Sequence, residues 1–278
     1  MRPLVFQTDF GLADGAVSAM YGVALKLNQD LKIYDLTHEI EPYNIWEAGY
    51  RLLQTVDYWA EGTVFVSVVD PGVGMSRRSV CAKLKSGQLI VTPDNGTLTF
   101  LKKHNAIAEL RVIDETTNRL AGSEESYTFY GRDVYAYTGA RLAAEEIAFE
   151  DLGESVDVNT AVCLQTTDAV LKDDSIEGTI DVLDIRFGSL WTNIPKDMFR
   201  KLNFNYGDDV EVVVFNDTRV VYRNRIQYQK SFAGVYLGEA LIYVNSLNCM
   251  AVAINQGSFA KAYNIGTGNN WHILFKKK

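Results

Sequence analysis

Three aspartates close apolar runs in the first part of the chain: Asp9 after Leu4–Thr8, Asp70 after 63–69, and Asp94 just past 88–92. Each opens a turn-forming segment, Asp9-Phe10-Gly11, Asp70-Pro71-Gly72-Val73-Gly74 and Asp94-Asn95-Gly96, where glycine lets backbone come close to a ligand. In open parallel sheets ligands bind outside the carboxyl ends of the strands, so the three carboxylates are expected to line one crevice. Turn chemistry alone accounts for any one of them; three after strand-like runs favour a site. Arg77-Arg78 follow Asp70 by seven and eight residues. A loop folding back would set Arg77 against Asp70, where its charge holds the carboxylate ionised and its fork orients a water or an anion. The plainer reading is a surface pair leading into a strand at Ser79, and the sequence leaves both open.

Other chemistries lack their residues. His38, His104 and His272 are far apart, as are Cys81, Cys163 and Cys249, and no CxxC, HxxxH or HExxH spacing occurs. No metal site and no cofactor is therefore expected. No GxGxxG follows the first strand, and neither GxxxxGK[ST] nor the GxSxG elbow is present. With 27 basic and 35 acidic side chains the formal charge is −8, which argues against a nucleic-acid surface. The basic run 276–278 reads as a solvated end. Scattered thiols point to a reducing, cytoplasmic setting. Residues 1–6 are too short for a signal segment, and no apolar stretch reaches membrane-spanning length.

The elements that must position these residues change character along the chain. Strand-like runs at 4–8, 32–36, 63–69, 79–84 and 88–92 alternate with helical patterns at 17–27, 45–59 and 132–147. The run at 63–69 is nearly continuous in β-formers, as a strand buried on both faces requires. Beyond about Ala161 the chain reads as short β runs, at 179–185, 209–215, 219–222, 241–245 and 250–254, punctuated by turns. The expectation is an α/β domain over 1–156 followed by a small β-barrel or sandwich over 161–278.

Six segments in order resemble one family. They are Thr8-Asp9-Phe10-Gly11, the Asp70–Gly74 turn with Arg77-Arg78, Pro93-Asp94-Asn95-Gly96, Thr128-Phe129-Tyr130-Gly131-Arg132-Asp133, Phe187-Gly188-Ser189-Leu190-Trp191-Thr192-Asn193-Ile194, and Asn245-Ser246. Together they look like the adenosine-forming S-adenosyl-L-methionine (SAM) hydrolases, or SAM hydroxide adenosyltransferases, a family related to fluorinating and chlorinating enzymes that attack the same carbon. The resemblance runs from Asp9 to about Gly257. It implies a Rossmann-like N-terminal α/β domain, a smaller C-terminal β-barrel domain, and a homotrimer. In that family SAM sits between the N-terminal domain of one subunit and the C-terminal domain of its neighbour. The implied reaction is hydrolysis of SAM to adenosine and methionine, with SAM as the partner and no nucleic acid or membrane.

The resemblance also assigns residues. Asp9 falls on the ribose hydroxyls, with Tyr43 as a wall near the sugar. Asp70 and Arg77 match residues that orient and activate water. Asp184 and Ser246 match positions around the methionine amino and carboxylate groups, with Asp14 in the same polar cluster. Phe187 and Trp191 match aromatic positions at the adenine, although barrel-core residues would show the same strand spacing. Asn95 and Asn245 lie within the matched segments and are counted with the substrate-binding residues. Two positions depart from the hydrolases. Tyr130 stands where they carry histidine, as in the halogenating relatives, and Ser189 stands where relatives often carry an asparagine that reads the adenine edge. With an ordinary pKa of about 10 a tyrosine is neutral at pH 7, yet it still hydrogen-bonds water. Tyr130 thus raises a 5′-halogenase alternative, and the missing histidine raises a non-catalytic SAM- or adenosine-binding protein. Asp70 favours hydrolysis, because a carboxylate about 4 Å from a halide repels it by roughly 4 kcal/mol at an effective dielectric near 20.

Overall fold

Strand β1 (Leu4–Thr8) is buried along its whole length, with Leu4 and Phe6 in one apolar cluster and Val5 in another. That two-sided burial fits its unbroken apolar run. In the computed structural model, which describes residues 1–277, β1 lies in a seven-stranded sheet. The other strands are β2 (Ile33–Thr37), β3 (Val64–Val68), β4 (Ser79–Leu84), β5 (Leu89–Pro93), β6 (Ile107–Val112) and β7 (Ser155–Val156), in the order β2-β1-β3-β5-β4-β6-β7. The sheet is parallel from β2 to β5 and antiparallel from β4 to β7. It is therefore mixed rather than wholly parallel. The turn at 85–88 joins β4 to β5 as a hairpin, and a connection that short can only reverse the chain. Because β1, β3 and β5 run the same way, Asp9, Asp70 and Asp94 all emerge at one edge.

Helices cover both faces. The side of Leu4 and Phe6 is packed by α1 (Ala16–Leu27), through Met20 and Ala24, and by α4 (Tyr137–Ala143), through Ala140 and Leu142. The side of Val5 and Phe65 is packed by α2 (Ile45–Thr55) and α3 (Thr99–Lys103). The Asn44 side chain caps α2 by accepting the Glu47 N–H. The α-helical geometry of α2 stops at Thr55, and a 3-10 turn at Val56–Tyr58 completes the expected helix. A π-helical turn at Gly131–Ala136 leads into α4.

The contacts divide the chain into two compact units, Met1–Leu164 and the remainder from Gln165. Residues 157–164 are stitched to the first unit. Lys102 donates to the Asn159 and Ala161 carbonyls, Asp94 accepts the Val162 N–H, and Thr99 accepts the Leu164 N–H.

The second unit is a closed barrel. Its strands are β9 (Ser175–Leu183), β10 (Leu190–Pro195), β11 (Asp209–Asn216), β12 (Arg219–Tyr228), β13 (Ala240–Val244), β14 (Cys249–Ile254) and β15 (Gly268–Lys276), with the short β8 (Val170–Leu171) beside β9. The ring β9-β10-β14-β13-β12-β11-β15 returns to β9, so no long edge is left open. Ile176, Ile180, Val212, Val252 and Phe275 fill its centre, with α5 (Lys196–Arg200) and α6 (Phe259–Tyr263) contributing Phe199 and Phe259. All three cysteines are free. Lys276 pairs with Asp174 and Lys277 donates to the Leu202 carbonyl, while Lys278 lies outside the described residues. Among the described residues no helix is long and apolar enough to cross a membrane.

Candidate active site

Beyond the carboxyl ends of β1 and β3 the first unit holds a cavity of about 330 Å³. Asp9, Phe10, Tyr43, Val68, Asp70, Val73, Thr128, Phe129 and Tyr130 are among its walls. Asp9 and Asp70 thus share one crevice, as their places after strands suggested. Asp94 does not join them, which corrects the expectation of three carboxylates in one site. Its Oδ2 holds Arg78 (Nε 3.0 Å, Nη2 2.5 Å) and its Oδ1 accepts the Val162 N–H at 2.8 Å, so it serves as a structural tie. Asn95 is likewise engaged with protein. Its Nδ2 donates to the Val69 carbonyl at 2.8 Å, which braces the backbone just ahead of Asp70.

Arg77 folds back as one of the two readings held. Its Nε and Nη2 both donate to Asp70 Oδ2, at 2.9 and 2.6 Å. The other oxygen, Oδ1, is buried and has no hydrogen-bond partner among the described residues. A buried carboxylate oxygen left empty is unusual and costly, and the Asp70 side chain is only 5% exposed. Burial opposes the Arg77 charge, but the hydrogen bond to Asp70, with the nearby carboxylates of Asp70 and Glu115, holds its pKa above the ordinary arginine value.

Tyr130, at the start of the π-helical turn, presents its ring to two guanidinium groups. Arg77 Cζ lies 4.7 Å and Arg119 Cζ 4.9 Å from the ring centroid, distances at which cation–π attraction fixes a ring. Arg119 is itself held by the Ser123 and Ser126 carbonyls, and Glu115 Oε1 and Oε2 lie 4.0 Å from Arg77 and Arg119 respectively. Behind them Ser79 donates to Glu115 at 2.6 Å, and its Oγ lies 3.1 Å from the Tyr135 hydroxyl, which can donate to it. Burial pushes the Tyr135 phenol far above its ordinary range. Arg119, Glu115 and Tyr135 were missed from sequence, because no local spacing ties them to Asp70.

Gly131 sits where a Cβ would fall 3.0 Å from the Phe10 ring, so the Asp9 loop and the turn after Tyr130 close on each other. Asp9 Oδ2 accepts the Tyr43 N–H at 2.8 Å. That bond holds Tyr43 at a φ of 71°, a conformation disfavoured for a bulky residue, with its side chain 72% exposed. Asp14 is not among the cavity walls; it is exposed and accepts the Ala16 N–H at the start of α1.

In the barrel unit a separate groove of about 820 Å³ gathers Asp184, Phe187 and Ser189 with Phe232, Tyr243 and Ser258. Asp184 Oδ1 accepts the Arg186 and Phe187 N–H groups in a tight turn. Gly188, at φ 66°, completes it, and a Cβ there would fall 1.9 Å from Ser258 Oγ, so no other residue fits. Phe187 is 70% exposed and is no core residue. Trp191 donates its indole N–H to the Tyr243 hydroxyl at 3.3 Å. Ser189 also bonds that hydroxyl, yet burial outweighs both bonds and raises the Tyr243 pKa. Asn245 and Ser246 form the β13–β14 turn and are not among the groove walls. Asn245 Oδ1 accepts the Leu247 and Cys249 N–H groups, its Nδ2 is buried without a hydrogen-bond partner among the described residues, and Ser246 is exposed. Phe232 and Tyr243 carried no motif signal.

Comparison with known proteins matches both units. Residues 4–153 fit the SAM hydroxide adenosyltransferase N-terminal domain and residues 178–272 the C-terminal domain. Similar proteins include an (R)-S-adenosyl-L-methionine hydrolase of Methanocaldococcus jannaschii, 33% identical over 82% of this chain and 80% of that protein. One from Salinispora tropica is 32% identical over 96% of both chains. A fluorinase of Actinopolyspora mzabensis is 26% identical over 96% of this chain and 95% of its own. The crystal structure of an uncharacterized conserved protein from Thermotoga maritima superimposes with a TM-score of 0.89 at 31% identity, covering 99% of this chain and all of that one. By both domain matches and this similarity along its length, the chain belongs to the SAM hydroxide adenosyltransferase family.

Proposed function

We propose that the chain hydrolyses S-adenosyl-L-methionine to adenosine and L-methionine by in-line attack of water on C5′. The observation that carries this is the Asp70 carboxylate, with one oxygen clamped by Arg77 and the other buried, unpartnered and beside the cavity. A water donating to Oδ1 would satisfy it. The water oxygen forms the bond to C5′ as the C5′–S bond breaks. The electron pair of that bond returns to sulfur, which leaves as the neutral thioether of methionine. The proton leaves the attacking water toward Asp70 Oδ1 and then to solvent. The sulfonium needs no general acid, so the protein's task is alignment, worth roughly 7–11 kcal/mol in favourable cases. Asp9 suits the ribose diol. The barrel-unit groove, with Phe187, Phe232, Tyr243 and Asp184, has the aromatic faces and carboxylate suited to adenine and an amino group. We further propose that the chain works as a homotrimer.

The fluorinase relatives and Tyr130 define the competing reading. Oδ1 offers lone pairs only, which accept from water and repel halide. Incubation with SAM and chromatography, with and without chloride, decides among the readings. Adenosine in both arms is expected. A 5′-chloro product would establish halogenation, and unchanged SAM with retained binding would establish a binding protein. Asp70→Asn, which keeps the shape but loses the charge, is expected to slow adenosine formation by about 10²–10³-fold, within the range for lost acid–base assistance; an unchanged rate would remove Asp70 from the mechanism.

A further inference from the structure

Immediately behind the cavity, on the inner side of β1, lies a hydrogen-bonded chain that the hydrolytic machinery does not use. His38 is buried, 3% exposed, just past β2. Its Nε2 lies 3.0 Å from Asp35 Oδ1 and 3.3 Å from the Tyr21 hydroxyl, and its Nδ1 lies 2.8 Å from Thr8 Oγ1. The Tyr21 hydroxyl donates to the same Asp35 oxygen at 2.5 Å. A carboxylate oxygen can only accept, so the ring proton belongs on Nε2. Nδ1 is then an acceptor for the Thr8 hydroxyl proton. That leaves the Thr8 oxygen free to accept the Phe10 N–H, which it does at 3.2 Å. The His38 carbonyl accepts the Gly11 N–H at 2.8 Å. Both amides that follow Asp9 are therefore fixed by one residue, the first through Thr8 and the second directly.

Such a chain has a direction. Asp35 accepts from both Tyr21 and His38, while His38 and Thr8 each donate once and accept once on the way to the Phe10 amide. An isolated structural histidine would need none of it. What the chain sets is the backbone on the far side of the Asp9 carboxylate, while Tyr43 sets the carboxylate itself through its N–H. Asp9 is thereby held at both ends, with its orientation decided before any ligand arrives.

We infer that His38 is a positioning residue that, through Thr8, pre-orients the Asp9 carboxylate for a vicinal diol of the ligand's sugar. The inference rests on the ribose role given to Asp9 above. It concerns binding rather than the attack on C5′, so loss of His38 weakens affinity for the diol and leaves the turnover of bound substrate intact.

The test uses adenosine and 2′,3′-dideoxyadenosine as probes of the intact chain by calorimetry. His38→Leu and the near-isosteric Thr8→Val are each expected to lower adenosine affinity about tenfold, as loosening a hydrogen bond to a carboxylate does. Thr8→Ser keeps the hydroxyl and is expected to keep the affinity. Dideoxyadenosine binding is expected to be unchanged in all three, because it has no diol for Asp9 to hold. With SAM, the same variants are expected to raise KM with kcat within about twofold, the signature of lost uniform binding. Nitrogen NMR of the wild type is expected to show His38 protonated on Nε2 and not on Nδ1. If adenosine and dideoxyadenosine affinities fall together, or neither falls, His38 has no positioning role. An Nδ1-protonated ring would overturn the inference as well. A wild type that binds both nucleosides alike would instead remove the ribose role of Asp9, a failure distinct from that of His38.

Discussion

Charge placement around Tyr130 shows how an aromatic ring can be held between two cations. Two guanidinium groups lie within 5 Å of its ring, and each is balanced nearby, Arg77 by Asp70 and Arg119 by Glu115. The ring is held by these cations and by Tyr127 and Tyr135, so its orientation does not depend on its hydroxyl. Tyr130→Phe therefore separates the two contributions. The variant is expected to fold with unchanged thermal stability. It is expected to lose roughly tenfold in the rate of adenosine formation, about the worth of one hydrogen bond to a nearly charged nucleophile. An unaltered rate would show that the ring, and not the hydroxyl, is what the site needs. The Asp70–Arg77 pairing was one of two readings in the sequence. What could not be read there is that both arginine donors converge on one oxygen, because that choice depends on the path of the loop between them.

At the scale of elements, the site depends on helix α4 and the π-helical turn before it lying close to the sheet. Gly139 makes that approach possible: a Cβ there would fall 2.3 Å from Val66 Cγ2 on β3. Gly139→Val is expected to lower the unfolding free energy by about 1–3 kcal/mol, the usual cost of overpacking, as read from urea denaturation. It is also expected to disturb Tyr130, which is joined to α4 through Gly131–Ala136. A variant as stable as the wild type would mean that the helix shifts freely. The alternation of strands and helices in the first unit was legible because buried strands need unbroken apolar runs and helices need a 3.6-residue stripe. β6, β10 and β15 were not singled out as strands. β10 passes from a glycine turn to a proline, and β15 opens Gly-Asn-Asn, so their strand character comes from pairing partners.

For the whole molecule, the two units have separate apolar cores: the clusters of the first lie within residues 4–161 and that of the second within 176–275. The proposed homotrimer is checked by sedimentation velocity, with an expected particle three times the mass of the chain; a monomer at working concentrations would overturn it. The sequence by itself determined the division into an α/β part and a β-rich part, the strand-end placement of Asp9 and Asp70, and the family. These follow from local periodicity, from turn chemistry and from short segments whose order along the chain is preserved. Only the tertiary structure decided that Asp94 ties down the segment at 160–164 while Asp70 faces a cavity. Only it decided that Arg119 backs Tyr130, that His38 stands behind Asp9, and that β9 closes the barrel on β10. Each of these joins residues far apart in sequence or chooses between equal carboxylates. Such choices are made by which partners the folded chain brings within hydrogen-bond reach, and no local pattern encodes them.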